Sequence, residues 1–305
     1  MSQTSTPSLA YNIYQDSNIS IIVPFFNEQR IEQNIRILEN ELKAYFQNYE
    51  IILVSDGSTD APRAFLAKLE QLSPHIKLLH YPENQGKGFA LKHGFEHSKG
   101  EYVAFIDGGM ELHPRDIKRF LVLMDIYDAD IVIGSKRHAY SNVRYPYVRK
   151  FLSICYQIFI RLFLHIRHVK DSQVGLKLFR REVLEVVLPQ ILVKKYAFDL
   201  EVLTVATHLG YKNILEAPIE LDYYRNQQRH RPLKDLVHTL KVGWPLLLDT
   251  LAIFYRLRIK RHYDSVLLRH SGQRSERLRT RIHPENSGDQ SERLRDSALS
   301  GQKVG

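Results

Sequence analysis

Short apolar runs rich in β-branched and aromatic residues alternate along the chain with segments in which apolar residues recur every three or four positions. The runs begin near Ile19, Tyr49, Ile76, Tyr102 and Asp130. After the first run, one helical face is formed by Ile31, Ile35, Leu38, Leu42 and Tyr45. Regular alternation of strands and helices predicts an α/β fold with a mostly parallel central sheet and helices on both faces.

The second half of the chain has a less regular pattern. It predicts a helix over Tyr147–Ile166, a strand over Gly175–Phe179, helices over Glu182–Leu188 and Phe198–Leu209, and a strand over Ile214–Tyr224. Leu233–Tyr263 mixes apolar with basic residues, which is typical of a pair of amphipathic helices at a membrane surface. Packing of this pair against the core is the alternative.

Composition divides the chain into four parts. We expect a flexible N-terminus over residues 1–16, a folded domain over 17–231, amphipathic helices over 232–263 and a disordered basic tail over 264–305. The tail is rich in Ser and Arg and repeats Ser-Glu-Arg-Leu-Arg at 275–279 and 291–295, a composition that cannot bury a core.

The charge of the chain predicts an anionic partner. The 43 basic and 34 acidic residues give a net charge of +9, which suits a nucleotide, a phospholipid surface or nucleic acid. Nucleic acid is disfavoured because the cations lie beside apolar faces instead of among stacking aromatic residues. The single cysteine, Cys155, excludes an internal disulfide and fits a reducing cytosol. We expect neither a secretory signal nor a transmembrane span, and the oligomeric state stays open.

Acidic loops follow three of the predicted strands. Asn27 and Glu28 come after the first, Asp56 after the second, and Asp107 after the strand that starts near Tyr102. Ligands of open α/β sheets bind at the carboxyl edge of the strands, where these loops meet. Asp56 suits a hydrogen bond from a base or a ribose, although turn chemistry alone is the alternative. The three loops predict a nucleotide-binding edge.

Two further features of this edge suit phosphate and metal. The loop Asn84–Gly88 brings backbone N–H groups and Lys87 to the start of a predicted helix, a setting that favours a diphosphate. Asp107 and Glu111 offer oxygen ligands four residues apart, which is enough for Mg²⁺ or Mn²⁺ when substrate phosphates complete the shell. The alternative for Glu111 is a solvated loop acid.

These motifs, in this order, resemble those of family 2 inverting glycosyltransferases with the GT-A fold, and more narrowly the branch that acts on polyprenyl or dolichyl phosphate. The resemblance runs from Ile19 to Tyr263. It is carried by Val23–Glu28, Val54–Asp60, Asn84–Gly88, Phe105–Asp107, Ile133–Arg137, Asp171–Phe179 and Phe198–Glu201. It implies that residues 17–231 form a GT-A catalytic domain, closer to the glucosyl than to the mannosyl branch.

The resemblance implies transfer of a hexose, with inversion, from a nucleotide sugar of the UDP-glucose or GDP-mannose type to a polyprenyl phosphate. It assigns the nucleotide sugar to Pro24, Asn27, Glu28, Asp56, Lys87 and Asp107. It assigns the metal to Asp107 and Glu111, and catalysis to Lys87, Asp107, Arg137, Arg149, Asp171 and Asp199. Two positions depart from the family pattern. Ser55 and Gly109 stand where the family often has an aspartate, and at Gly109 that aspartate binds metal.

The acceptor decides which catalytic groups are needed. A phosphate monoester is already nucleophilic near neutral pH, so it needs cations to position it and no general base. Lys136, Arg137, Arg149 and Lys150 lie beside the predicted aromatic helix and suit a lipid phosphate. We therefore expect a peripheral enzyme on the cytoplasmic face of a membrane.

Two other interpretations stay open at this point. One is transfer to a saccharide or protein hydroxyl, with Asp171 or Asp199 as the base. The other is a non-catalytic nucleotide-sugar-binding protein, which the glycine at position 109 motivates.

Overall fold

The structure is a computed structural model that describes residues 17–59, 63–136, 138, 141, 156–157, 159–161, 163–164, 169, 171–195, 197–219 and 232–266. Strands within these residues form a single sheet. They are β1 (Ile19–Phe25), β2 (Tyr49–Asp56), β3 (Ile76–Tyr81), β4 (Tyr102–Ile106), β5 (Ile131–Ser135), β6 (Leu176–Arg180) and β7 (Ile214–Pro218). The α-helices are α1 (Ile31–Tyr45), α2 (Arg63–Glu70), α3 (Lys87–Glu96), α4 (Asp116–Ile126), α5 (Arg181–Val187), α6 (Phe198–His208) and α7 (Pro232–Phe254).

The sheet has the strand order β3-β2-β1-β4-β6-β5-β7. Strand β6 runs antiparallel to β4 and β5, and the other neighbouring pairs are parallel. The predicted mostly parallel sheet is therefore confirmed. The order reverses between β1 and β4, and ligands of open α/β sheets bind outside the carboxyl ends of the strands at such a point.

Side chains of a strand alternate between the two faces of the sheet, and an apolar cluster covers each face. From β1, Ile21 and Val23 pack into the cluster that contains the apolar residues of α1 and α4, whereas Ile22 packs with those of α3 and α6. Helices on both faces are thus confirmed, and the strand ends that carry the acidic loops sit on a rigid base.

The C-terminal segment differs from the predicted helix pair. A single helix, α7, runs through Pro245 and continues into a π-helical turn over Tyr255–Ile259. Ile253, Leu257 and Tyr263 are buried in the core. An apolar row on the other side is exposed, and we name it the C-terminal stripe: Trp244, Leu248, Leu251, Tyr255 and Ile259. The segment therefore has one side packed in the core and an apolar row facing outward, and its contact with a membrane stays a prediction.

Some predicted features fall wholly or partly outside the described residues. Strand β7 ends at Pro218, and residues 220–224 of the predicted strand lie outside the described residues. The same holds for residues 1–16, most of the tail, and the predicted acceptor residues Arg137, Arg149 and Lys150. In the described part of the chain, no helix has both the length and the apolarity needed to cross a bilayer.

Candidate active site

The loops after β1, β2 and β4 are joined by hydrogen bonds at the carboxyl edge of the sheet. The backbone N–H of Gly108 donates to the carbonyl oxygen of Pro24 at 3.2 Å. The side-chain oxygen of Asn27 accepts the backbone N–H of Thr59 at 2.9 Å, and the backbone N–H of Asn27 donates to Ser58 Oγ at 3.1 Å. Pro24 and Asn27, both predicted to bind the nucleotide sugar, therefore hold the three loops in a fixed arrangement.

Asp56 is buried and organises the predicted diphosphate loop. Its Oδ1 accepts the backbone N–H of Gln85 at 2.7 Å and the Tyr81 hydroxyl at 2.9 Å, and its Oδ2 accepts the backbone N–H of Gly86 at 3.0 Å. Burial and the nearby Asp56 carboxylate raise the pKa of Tyr81, so its hydroxyl remains a donor. The bonds that Asp56 makes in the structure hold the loop from the neighbouring strand end.

The start of α3 is closed by a carbonyl from a distant segment. The carbonyl oxygen of Lys194 accepts the backbone N–H of Gly88 at 2.8 Å and that of Phe89 at 3.3 Å. Gly86 has a φ of +96°, and a Cβ there would lie 2.6 Å from the same carbonyl oxygen. A Cβ on Gly88 would press against the ring of Phe198. The glycines therefore allow α3 to begin against the 191–195 segment and α6.

Four charged side chains alternate in sign at this start of α3. Lys87 Nζ lies 2.7 Å from Asp107 Oδ1 and 3.4 Å from Asp199 Oδ2. Lys177 Nζ lies 2.8 Å from Asp199 Oδ1 and also donates to the carbonyl oxygen of Val174. Three of the predicted catalytic residues, Lys87, Asp107 and Asp199, thus meet, and Lys177 joins them from β6.

The charges of this cluster are set by their neighbours. Burial would lower the pKa of Lys87, but Asp107 and Asp199 raise it above its ordinary value. Burial would raise the pKa of Asp199, but Lys177 and Lys87 hold it below the usual range. Burial dominates at Lys177, whose side chain is only 1% exposed, and lowers its pKa. The cluster therefore presents Lys87 as a fixed cation and Asp199 as a fixed anion.

Asp107 faces a pocket that also contains two other predicted site residues, Glu111 and Lys136. Glu111, Lys136, Gln173 and Gly175 line the same pocket. A side chain at position 175 would collide with the Asp107 carboxylate, and the Gly175 carbonyl oxygen accepts the backbone N–H of Asp107 at 3.2 Å. The structure thus brings the two predicted metal ligands, Asp107 and Glu111, beside one predicted acceptor residue, Lys136.

Asp171 precedes β6 in the chain and contacts the residue that follows β5. Its Oδ2 accepts the backbone N–H of Lys136 at 3.1 Å, and its own backbone N–H donates to Glu216 Oε1 at 2.9 Å. Asp171 therefore fixes the backbone position from which the Lys136 side chain reaches the pocket.

Glu28 lies beside Gly109, which stands where the family often has a metal-binding aspartate. Its Oε1 accepts the backbone N–H of Arg30 at 3.1 Å, and its Oε2 lies 3.6 Å from the place that a Cβ on Gly109 would take. That distance is an ordinary contact, so a carboxylate at position 109 has room but would adjoin another acid. Among the described residues, no group of three or more His, Cys, Asp or Glu side chains is arranged to hold a metal ion.

Residues with contacts at the site that were not predicted as site residues include Gly175, Lys177 and the tyrosine at position 81. The sequence does indicate that Lys177 has a charged partner, because this lysine stands between Leu176 and Leu178 in a central strand, where a buried charge needs one. The sequence does not indicate that Gly175 contacts Asp107 or that Tyr81 contacts Asp56, because each pair is far apart in the chain.

Residues 20–188 match the model of the family described as Glycosyl transferase family 2. The chain belongs to this family. The matched region contains Asp56, Lys87, Asp107 and Lys177, and extends to the end of α5. The resemblance read from the sequence is therefore confirmed at the level of the family.

Curated relatives of this chain share one description. A dolichyl-phosphate beta-glucosyltransferase of Dictyostelium discoideum is 32% identical over 224 residues, which is 68% of each chain. One from Trichomonas vaginalis is 33% identical over 212 residues, covering 66% of this chain and 65% of the relative. The Saccharomyces cerevisiae protein of the same name is 27% identical, covering 64% and 65%. The chain spans about two-thirds of the length of these relatives.

Solved structures with this fold include glucosyl-3-phosphoglycerate synthase of Mycobacterium tuberculosis. Its complex with UDP superposes with a TM-score of 0.56 at 20% identity, covering 83% of this chain and 85% of that one. Its complex with Mn²⁺ and UDP-glucose gives 0.55 at 19% identity, covering 81% and 84%. This likeness confirms the GT-A fold.

Proposed function

We propose that this protein transfers a glucosyl unit from UDP-glucose to a dolichyl-type polyprenyl phosphate with inversion at the sugar carbon. The observation that carries the proposal is the contact of Lys87 with both Asp107 and Asp199 at the glycine-lined start of α3. We expect this cation to lie where a leaving diphosphate would gain charge. The shared description of the curated relatives supports glucose and dolichyl phosphate as substrates.

The donor site extends from the ends of β1 and β2 to Lys87. Glu28 and Asp56 would accept hydrogen bonds from the nucleoside through their carboxylate oxygens. Asp56 also accepts the backbone N–H groups at positions 85 and 86. Lys87 keeps its proton because Asp107 and Asp199 raise its pKa. It would offset the charge of the diphosphate as the glycosidic bond breaks.

A divalent ion fits the oxygen ligands that line the pocket. Asp107 and Glu111 would hold Mg²⁺ or Mn²⁺ together with the diphosphate of the donor, since such ions often need only one or two protein carboxylates. When bound there, such an ion would supply positive charge to the leaving group. Mn²⁺ accompanies UDP-glucose in the solved structure of the mycobacterial synthase.

A phosphate acceptor suits this pocket because it requires no base. One oxygen of the lipid phosphate would form the new bond to the sugar carbon as the bond to the donor phosphate breaks, with no proton to remove. Lys136 lies in the pocket, and we expect Arg137, Arg149 and Lys150 to join it as cations for this phosphate.

Transfer to a hydroxyl is not favoured by the same geometry. It would need Asp199 or Asp171 as a base. Lys177 and Lys87 hold the pKa of Asp199 below its usual range against the effect of burial. Asp171 already accepts the backbone N–H of Lys136. Both acids are therefore poorly suited to remove a proton.

The C-terminal stripe provides the contact with the lipid phase. Trp244 is 65% exposed and Ile259 is 62% exposed, and the stripe residues recur every three or four positions. Arg258, Lys260 and Arg261 are exposed at its C-terminal end. Basic residues at an apolar face are attracted to the anionic cytoplasmic leaflet by about 1 kcal/mol each. We therefore place the protein peripherally at the cytoplasmic face of a membrane.

A donor panel tests the proposal. Purified protein is incubated with dolichyl phosphate, Mn²⁺ and one labelled nucleotide sugar at a time, and label in the lipid extract is counted. We expect label from UDP-glucose to enter the extract well above label from GDP-mannose. Preference for GDP-mannose would contradict the glucosyl assignment, and an unlabelled lipid extract with every donor would contradict the proposed activity.

A further inference from the structure

Glu201 of α6 is a buried carboxylate with partners on two sides. Its side chain is 0% exposed. Oε2 accepts the backbone N–H of Leu192 at 3.0 Å and that of Val193 at 2.7 Å. Oε1 accepts the Arg256 guanidinium at 2.6 Å and the Tyr263 hydroxyl at 2.8 Å. One carboxylate therefore ties the 191–195 segment to the end of the C-terminal segment.

The first side leads directly to the donor site. Val193 is followed by Lys194. The carbonyl oxygen of Lys194 accepts the backbone N–H groups of Gly88 and Phe89 in the first turn of α3. Lys87 stands at the head of the same helix and contacts Asp107. The position of the 191–195 segment thus fixes how α3 presents Lys87.

The second side leads to the proposed lipid contact. Arg256 lies on the π-helical turn between Tyr255 and Ile259, both members of the C-terminal stripe. Arg256 Nε also donates to the Tyr263 hydroxyl at 3.2 Å, so the partners of Glu201 are linked to each other. Burial would lower the pKa of Arg256, but Glu201 raises it.

We propose that Glu201 is a positioning residue that couples the C-terminal stripe to the diphosphate end of the donor site. A buried carboxylate that loses its cation is strongly destabilised, so release of Arg256 forces Glu201 and the bonded 191–195 segment to rearrange. Lipid contact that holds the π-helical turn in place keeps Lys194 against α3. This inference rests on the proposed function for the identity of its two ligands.

Coupling of this kind is reciprocal, which gives a test that needs no variant. If vesicles tighten binding of the nucleotide sugar, the nucleotide sugar must tighten binding of vesicles by the same factor. The dissociation constant of UDP-glucose is measured for the full chain with and without saturating phosphatidylcholine–phosphatidylserine vesicles. We expect both affinities to rise by the same factor, about fivefold or more. Equal affinities with and without vesicles would overturn the coupling.

Variants locate the coupling at Glu201. Tyr263→Phe removes one hydroxyl, and Arg256→Met removes the cation. We expect both to weaken UDP-glucose binding about tenfold and to abolish the vesicle effect. Arg256→Lys keeps the cation and should recover part of the affinity. Arg36→Met and Tyr127→Phe, at exposed positions on and beside other helices, are the matched controls.

Two outcomes separate this inference from the proposed function. If Tyr263→Phe keeps the thermal stability, donor affinity and vesicle effect of the wild-type protein, Glu201 does not couple the two sites, whatever the enzyme transfers. If the linkage and its loss in the variants are observed but no labelled lipid forms, the coupling stands and the proposed acceptor is wrong.

Discussion

Lys87 Nζ lies 2.7 Å from Asp107 Oδ1, which joins the head of α3 to the end of β4. Asp107 follows β4, beside the point where the strand order reverses, and Lys87 reaches it from the start of α3. Lys87 is in turn held by Asp199, so its ammonium group cannot leave the edge without giving up two ion pairs. A donor diphosphate would meet this cation already in place.

Asp107→Asn should abolish transfer while the protein remains folded, because the amide keeps the shape of the side chain and removes its charge. We expect a loss on the order of 10²–10³-fold in kcat. The measurement is turnover at saturating metal together with thermal unfolding. Glu101→Gln, at the opposite end of β4, is the matched control. Wild-type turnover in Asp107→Asn would remove Asp107 from the mechanism.

Gly175→Ala should impair the enzyme through Asp107. The added methyl group would collide with the Asp107 carboxylate, so this side chain must turn away from the pocket. We expect a drop in kcat of about tenfold or more and weaker Mn²⁺ dependence. Gly243→Ala is the control, since a Cβ at that position meets no atom within 4 Å. Unchanged metal dependence in Gly175→Ala would show that the carboxylate position is not critical.

Gly109→Asp should lower the Mn²⁺ concentration needed for half-maximal activity, because it adds a carboxylate two positions after Asp107. A Cβ at this position would lie 3.6 Å from Glu28 Oε2, so the side chain fits, although repulsion by Glu28 limits the gain. Gly109→Asn has the same shape without the charge and should not tighten the titration. Identical titrations for the Asp variant and the wild-type protein would mean that the site is already complete.

Asp199 should link the stability of the fold to pH. Its ordinary pKa is 3.8, and Lys177 and Lys87 lower the pKa in the folded state against the effect of burial. Its ion pairs therefore stabilise the protein above pH 3.8, and the contribution is lost as the pH falls through the folded pKa. Asp199→Asn should cost about 3–5 kcal/mol of unfolding free energy at neutral pH, because Lys177 stays buried without its partner.

Denaturant unfolding of both proteins at several pH values measures this effect. The difference in free energy between wild type and Asp199→Asn should shrink as the pH falls below 3.8. A difference that is the same at every pH would mean that the charge of Asp199 contributes nothing. Lys177→Met combined with Asp199→Asn should recover much of the loss, since no buried charge then lacks a partner.

The C-terminal stripe should carry vesicle binding. Replacing Trp244 and Leu248 by Ser removes two exposed apolar side chains and should weaken binding to anionic vesicles by about tenfold or more. Ile126→Ser, an equally exposed apolar position at the end of α4, is the control. Vesicle flotation at low and high salt is the measurement. Wild-type binding by the Trp244/Leu248 variant would place the membrane contact elsewhere.

Removal of the whole segment is a poor test of membrane contact. A chain cut after Arg231 would lose Ile253, Leu257 and Tyr263 from the core and leave the Glu201 carboxylate without its cation. Such a protein would be destabilised for reasons unrelated to lipid. Substitutions on the exposed stripe avoid this difficulty.

The sequence predicts the sheet well because strand starts and helix faces are local patterns. The runs near Ile19 and Tyr102 became β1 and β4, and the acids after them lie at one edge. The C-terminal segment was harder, because its helix has two apolar sides. Periodicity alone does not tell that Ile253 enters the core while Leu251 faces outward.

Contacts at the site are also set by residues far apart in the chain. The contact of Asp56 with a nucleoside stays a prediction, and the contacts that its carboxylate makes in the structure include the backbone N–H groups of Gln85 and Gly86. Glu201 lies in the first turn of α6, where an acid favours the helix dipole, and its partners nevertheless include Arg256, 55 residues away. Only the packing of α6 against the C-terminal segment brings such groups together.

Acceptor choice tests the central claim most directly. Purified protein with Mn²⁺ and labelled UDP-glucose is given either dolichyl phosphate or dolichol, and label is counted in the lipid extract, with Asp107→Asn as the inactive control. We predict labelled lipid only with dolichyl phosphate, since Lys136 lines the pocket as a cation for a phosphate, whereas Asp171 and Asp199 are poorly suited as a base for a hydroxyl. Equal labelling of dolichol, or label that enters neither lipid, would contradict this account.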